Sequence, residues 1–172
     1  MPKENAMKNV LGILGILLLV TSCQENLQVS DFTGNETTYA LQKGSSYDVS
    51  GILTLKERRD GTTTILVELT GTDGVMKHPV HLHLGDLSVK GADVAALLNP
   101  VGSTGQSETR IDKLADETTI TYADFIKINA CIKVHLSDTG VERDIILAAG
   151  NIGTASQSMT GGRVGISVCK SE

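Results

Sequence analysis

The chain has 172 residues, of which 40% are hydrophobic, 20% charged and 3% aromatic, and its formal net charge at pH 7 is −5. This length accommodates one domain with a short appendage and argues against two full domains. Nucleic acid is a poor candidate partner, because such binding needs clustered Lys and Arg, and the chain has no basic cluster larger than Arg58-Arg59.

The N-terminal residues have the features of an export signal. Lys3 and Lys8 precede an unbroken apolar run over residues 10–20, which ends in Thr21-Ser22-Cys23. The run is about half as long as the ~20 apolar residues that a transmembrane helix requires. A basic start, an apolar middle and small residues before the end are typical of a secretory signal peptide. We therefore predict that residues 1–22 are a signal peptide.

The end of this signal, Val20-Thr21-Ser22-Cys23, resembles the lipobox of bacterial lipoproteins. In that family a signal peptidase cuts before a cysteine that becomes lipid-modified, so the resemblance implies lipidation of Cys23. Attached acyl chains anchor a protein to a bilayer, which implies an exported lipoprotein at the outer membrane or cell surface. Residues 23–36 are polar and lack apolar periodicity, which predicts a flexible leash between lipid and domain.

The rest of the chain, residues 37–172, is predicted to form one all-β domain. Short segments with period-two alternation are separated by turn residues. The predicted strands span residues 47–58, 62–71, 80–84, 130–137, 143–150 and 163–169. Helical signal is confined to residues 92–98 and 122–128. The pattern predicts an antiparallel Greek-key β-sandwich or a flattened barrel.

Three of the four histidines fall where alternation decides their direction. His81 and His83 in residues 80–84, and His135 in residues 132–136, face away from the apolar side chains. Strand residues i and i+2 are about 6.6–6.8 Å apart, so His81 and His83 can share an ion and His135 can add a third ligand. Neutral imidazole suits copper, zinc, iron and nickel.

The alternative is that these outward histidines are simply solvated. His78, which precedes Pro79, is interpreted as a loop residue, with an axial ligand as the alternative. Metal binding and solvation therefore remain two hypotheses for the same face of the predicted sheet.

Four segments in the same order resemble Cu/Zn superoxide dismutase and the related-looking chordin-type CHRD domain. They are His81-Leu82-His83-Leu84-Gly85-Asp86, residues 134–140, Asn151-Ile152-Gly153 and Gly162-Arg163-Val164. The resemblance implies a superoxide-dismutase-like fold and copper, with zinc as the second choice, at His81, His83 and His135. In the dismutases the late arginine guides the anion toward copper, which implies that role for Arg163.

The sequence also departs from the dismutases. Their bridging histidine lies in a His-x-Asn-Pro segment, whereas residues 97–100 here read Leu-Leu-Asn-Pro, and no histidine lies between His83 and His135 to hold zinc. CHRD domains share the His-x-His strand, a stretch like residues 120–125 and a late strand like residues 132–135, and have no established catalytic role. We therefore expect a CHRD-like binding or structural domain that holds one metal ion. The alternatives are a copper-dependent dismutase-like enzyme without the zinc half-site and a purely structural or adhesive domain.

Two cysteines remain once Cys23 is lipidated. In an oxidising, exported setting an even pair predicts a disulfide, here between Cys131 and Cys169. Alternation places Cys131 on the face of His135 and Cys169 on the face of Arg163. A disulfide that closes the loop between these two cysteines would raise the free energy of unfolding by about 3–4 kcal/mol on the chain-entropy model. Two buried thiols, or a thiolate ligand to the same metal, remain alternatives.

Overall fold

The computed structural model describes residues 29–158, except residues 73 and 91. Within these residues the chain forms eight strands, one short α-helix and two 3-10 helices (Gly140–Asp144 and Thr154–Ser158). The strands and the α-helix are β1 (Phe32–Lys43), β2 (Ser50–Arg58), β3 (Thr63–Thr70), β4 (His78–Leu84), β5 (Val94–Val101), β6 (Gln106–Ile111), α1 (Tyr122–Phe125), β7 (Asn129–His135) and β8 (Ile146–Gly153).

The eight strands form one antiparallel sheet that is nearly closed into a barrel. Their order is β5-β4-β7-β8-β1-β2-β3-β6, and the two edge strands, β5 and β6, pack against each other. Strands β4, β5 and β6 follow one another around the barrel, and β7 then returns through a long connection to pair with β4. This is a Greek-key order, so the predicted antiparallel, flattened barrel is confirmed.

The barrel interior is built from aliphatic side chains. On the paired strands β4 and β7, the residues Val80, Leu82, Ile132 and Val134 all point into the main core and are fully buried. Phe125 is the largest fully buried side chain and comes from α1, in the connection between β6 and β7. The residues between these core positions on β4 and β7 therefore face the outside of the barrel.

The helix predicted over residues 92–98 is wrong. Val94–Val101 forms strand β5, in which Leu97 pairs with His81 and Ala96 with Leu82 of β4. Alanine and leucine favour a helix locally, but pairing with a neighbouring strand outweighs this weak preference. The second predicted helix is confirmed as the single turn of α1, whose first turn is capped by the Thr121 side chain.

The predicted leash is too long. Strand β1 begins at Phe32, which pairs with Arg58 of β2, so residues 32–36 belong to the sheet. Strands β1 and β6 are absent from the sequence prediction, because polar side chains interrupt their apolar alternation.

Several predicted features lie outside the described residues. They are the signal peptide over residues 1–22, the lipidation site Cys23, and the strand over residues 163–169 with Arg163 and Cys169. Across the part of the chain that the structure describes, no helix combines the length and the apolar character needed to cross a membrane.

Replacing Phe125 by alanine tests this account of the core. Because the ring is fully buried, we expect Phe125→Ala to lower the free energy of unfolding by about 3–5 kcal/mol. Urea unfolding measures the change. Val141 is 88% exposed, so Val141→Ala serves as the control and should change stability by less than about 0.5 kcal/mol. Similar effects of the two substitutions would contradict the assigned core.

Candidate metal centre

The outer face of β4 and β7 carries the three histidines singled out by the sequence. In the ladder between these strands His81 lies opposite Lys133, and His83 lies opposite Cys131. Residues opposite each other in an antiparallel ladder share a face of the sheet. Strand β7 continues two residues beyond Lys133 to His135, which therefore lies on this face as well.

The three rings lie close together. The ring centroids of His81 and His83 are 6.0 Å apart, and those of His81 and His135 are 4.6 Å apart. One ring nitrogen from each histidine lies within 4.8 Å of the other two. Bonds of about 2.0–2.1 Å to a tetrahedral ion would place two nitrogens about 3.4 Å apart, so small side-chain rotations suffice for all three to reach one ion.

The alternative that these outward histidines are simply solvated is wrong for two of them. His83 is 0% exposed and His135 is 1% exposed, while His81 is partly exposed. The face of the sheet follows the alternation rule, but the connections from β4 to β5 and from β7 to β8 fold back over it. The site is therefore largely enclosed, and only His81 of the three histidines is partly exposed.

The connection from β4 to β5 is fastened to the sheet next to the site. Leu87 is buried in a small apolar cluster with Cys131, Ile146 and Ala149, separate from the main core. The Leu87 backbone N–H donates a hydrogen bond to Oδ1 of Asn151 on β8, at 2.9 Å. This anchoring places Leu87 beside Cys131, the residue opposite His83.

Backbone carbonyls fix the orientation of the two buried rings. Nδ1 of His83 lies 2.9 Å from the carbonyl oxygen of Ala92, and Nδ1 of His135 lies 2.8 Å from that of Arg143. A carbonyl can only accept a hydrogen bond, so each Nδ1 carries the proton and each neutral ring has its lone pair on Nε2. Histidines that bind metal are commonly oriented in this way.

The Nε2 atom of His135 is buried and has no hydrogen-bond partner among the described residues. Leaving a buried polar atom unsatisfied costs about 1–3 kcal/mol, so such atoms are rare in folded proteins. A lone pair that points into a cluster of two further imidazoles fits a metal ligand.

Electrostatics keep the rings neutral. Burial is the main cause that lowers the pKa of His81 from its ordinary value of 6.5 to about 4, and the neighbouring His135 and His83 add to the effect. Burial also lowers the pKa of His83 and of His135. All three imidazoles are therefore neutral near pH 7, which is the form that binds a metal ion.

Among the described residues, Lys133 is a buried charged side chain on this face that the sequence interpretation did not single out. Its side chain is 0% exposed and lies on the same face as the histidines. Its positive charge lowers the pKa of His83 and His135, and Arg143 acts in the same direction on His81 and His135. The signal in the sequence is the alternation itself, which places Cys131, Lys133 and His135 on one face.

His78, Cys131 and Arg163 stand apart from the cluster. The prediction of a loop for His78 is wrong, because it is the first residue of β4, is buried, and has Nδ1 3.1 Å from the carbonyl oxygen of Leu136. Cys131 is fully buried opposite His83 but is not one of the three clustered side chains. Its predicted partner Cys169 and the predicted anion-steering residue Arg163 lie outside the described residues, so both roles stay predictions.

Three neutral imidazoles without a clustered carboxylate suit copper, zinc, iron or nickel and not calcium or magnesium. No protein-family model and no curated protein matches this sequence. The functional evidence is therefore the histidine cluster itself.

The lowered pKa values predict an acid-sensitive apo-protein. Between about pH 6.5 and about pH 4 the unfolded imidazoles take up protons before the folded ones, so the free energy of unfolding should fall as the pH decreases through this window. The His81→Gln variant lacks one of these rings and should show a shallower fall. Urea unfolding of metal-free protein at about pH 7.5 and about pH 4.5 measures the slope.

The carboxyl groups whose pKa is lowered, such as Asp60 and Asp86 beside the hydroxyls of Thr62 and Ser88, are present in both proteins and contribute equally to the two slopes. They therefore leave the comparison undisturbed. An equal slope in the wild type and in His81→Gln would show that the folded environment does not hold the His81 ring neutral.

Proposed function

We propose that the protein is an envelope-anchored lipoprotein whose CHRD-like barrel binds one copper ion through His81, His83 and His135. Zinc is the second choice. The observation that carries the proposal is the convergence of three neutral imidazoles from two strands, one of which has a buried Nε2 atom without a hydrogen-bond partner among the described residues. When bound, copper would supply one-electron redox chemistry or Lewis acidity at this position.

The buried environment favours metal binding over mere solvation of the histidines. Solvated imidazoles would point into water, whereas His83 and His135 are enclosed and held by carbonyl groups of two different connections. Buried and oriented imidazoles are typical of histidines whose lone pairs bind a metal ion.

A binding role is favoured over dismutase-like catalysis. The residue opposite His81 on strand β5 is Leu97, whose side chain is 72% exposed. An alkyl side chain at this point offers no ligand for a second metal ion and no group that transfers a proton. The CHRD resemblance fits this arrangement, since it requires no second metal.

The proposed anchor would keep the barrel near the bilayer. From Cys23 to Phe32 at the start of β1, a fully extended chain spans at most about 30 Å. The domain would therefore lie within that distance of the lipid surface.

Removing two of the three rings tests the metal site. Reconstituted wild-type protein should hold one copper ion per chain, whereas the double variant His83→Ala/His135→Ala should hold none. Copper at a hundredfold excess over its Kd should raise the free energy of unfolding of the wild type by about 2.7 kcal/mol and leave the double variant unchanged. Elemental analysis after desalting and thermal unfolding measure the two effects.

His78→Asn provides the control, because it removes a buried histidine that lies outside the cluster while keeping a side-chain nitrogen that can donate to Leu136. This variant should retain one copper ion. Equal copper content in the wild type and the double variant would show that the three histidines do not form the copper site.

The lipid anchor is tested separately. In a bacterial host, wild-type protein should incorporate labelled palmitate, and Cys23→Ser should not. Cys131→Ser is the matched control and should remain labelled. Label in Cys23→Ser, or none in the wild type, would contradict lipidation at Cys23.

A further inference from the structure

Asn151 on β8 lies in the same row of the sheet as the histidine cluster. Its side chain is buried, with 4% exposure, and it lies opposite Cys131 of β7, which in turn lies opposite His83 of β4. Directly opposite residues in an antiparallel ladder share a face and have Cβ atoms about 4.5–5.5 Å apart. Asn151 is therefore roughly 10 Å from His83 on the same outer face, beside the metal ligands and not among them.

Both polar atoms of the Asn151 amide are used. Oδ1 accepts a hydrogen bond from the Leu87 backbone N–H at 2.9 Å, and Nδ2 donates one to the carbonyl oxygen of Ala155 at 3.3 Å. Leu87 belongs to the connection between β4 and β5, and Ala155 to the 3-10 helix that follows β8. A backbone N–H only donates and a carbonyl only accepts, so this orientation of the amide satisfies both partners. One side chain thus holds two segments to the sheet.

The connection that Asn151 holds also supplies the carbonyl oxygen that orients His83. Ala92, which accepts the Nδ1 proton of His83, comes five residues after Leu87. Leu87 is 3% exposed and packs against Cys131 in the small apolar cluster. A displacement of Leu87 from the sheet would therefore move the segment that carries the Ala92 carbonyl group.

A metal ion reaches the two buried histidines only if the segments that cover them move. His83 is 0% exposed and His135 is 1% exposed. Buried groups become accessible through local opening, and the contacts that opening breaks set its free energy. For the connection between β4 and β5 these contacts include the buried Leu87 side chain and its backbone hydrogen bond to Asn151.

We propose that Asn151 controls how fast the metal ion enters and leaves the three-histidine site, a role that rests on the proposed metal-binding function and describes the regulation of the same site. The hydrogen bond from Leu87 to Asn151 involves no metal ligand, so its loss destabilises the covered arrangement equally with and without metal. Entry and release should both become faster, while their ratio, the dissociation constant, stays nearly constant. Loss of the acceptor for this buried N–H corresponds to a roughly 10-fold to 100-fold larger open population.

The test measures Cu²⁺ release from the wild type, from Asn151→Ala and from Asn99→Ala. Release is followed by transfer to a chromophoric chelator, at concentrations where the rate no longer depends on the chelator, and Kd by competition at equilibrium. Release should be roughly 10-fold to 100-fold faster in Asn151→Ala, with Kd changed by less than about threefold. Asn99→Ala is the matched control, because the Asn99 side chain also donates to a backbone carbonyl, that of Glu108, but joins β5 to β6. Its release rate should equal that of the wild type.

Leu87→Ala is a second variant, which weakens the same contact from the side of the connection and leaves Asn151 in place. It should also release Cu²⁺ faster than the wild type. Unchanged release in the folded variants would overturn the role of Asn151. A Kd that rises in proportion to the release rate would overturn it as well, since Asn151 would then act on ligand geometry and not on opening.

A measurement on metal-free protein separates this role from metal binding. Solvent exchange of the His83 Nδ1 proton, followed by NMR, should be faster in Asn151→Ala than in the wild type. Exchange of the His135 Nδ1 proton should be unchanged, because its acceptor, Arg143, belongs to the other connection. Equal His83 exchange in both proteins would contradict the role of Asn151, whereas failure of the wild type to bind Cu²⁺ would contradict the metal site even if His83 exchange responds as expected.

Discussion

Two hydrogen bonds organise the outer face of this barrel. The carbonyl oxygens of Ala92 and Arg143 accept the Nδ1 protons of His83 and His135, and each carbonyl belongs to a connection that covers the site. The bonds therefore do two things together: they orient the rings and they hold the covering segments over them. Without them the rings of His83 and His135 would lose the contacts that fix their orientation.

The alternation of residues 80–84 and 132–136 predicts both the strands and the face on which the histidines lie, because side chains alternate strictly along a strand. Burial of His83 and His135 could not be predicted, since it depends on connections that have no periodicity. Strand β5 could not be predicted, because Ala95, Ala96 and their leucine neighbours favour a helix. Pairing with β4 outweighs this local preference. The alternation predicts the face on which Lys133 lies. Its burial could not be predicted, because a lysine on the outer face of a sheet is normally exposed to solvent.

The chemistry of the site follows from three neutral ligands, two of which are buried. Burial keeps the three imidazoles unprotonated, so their lone pairs are available for a metal ion near neutral pH. The absence of a carboxylate from the cluster leaves the charge of a bound ion uncompensated by its ligands. Leu97, which lies opposite His81, offers no ligand for a second metal ion at that position. These features together suit a module that holds one metal ion.

X-ray absorption at the copper edge tests the central claim most directly, because it reports the atoms bound to the metal. For copper-loaded wild-type protein the account predicts about three imidazole nitrogens at about 2.0 Å, with the outer-shell scattering that imidazole rings produce. A first shell of oxygen or sulfur atoms without imidazole scattering would contradict it.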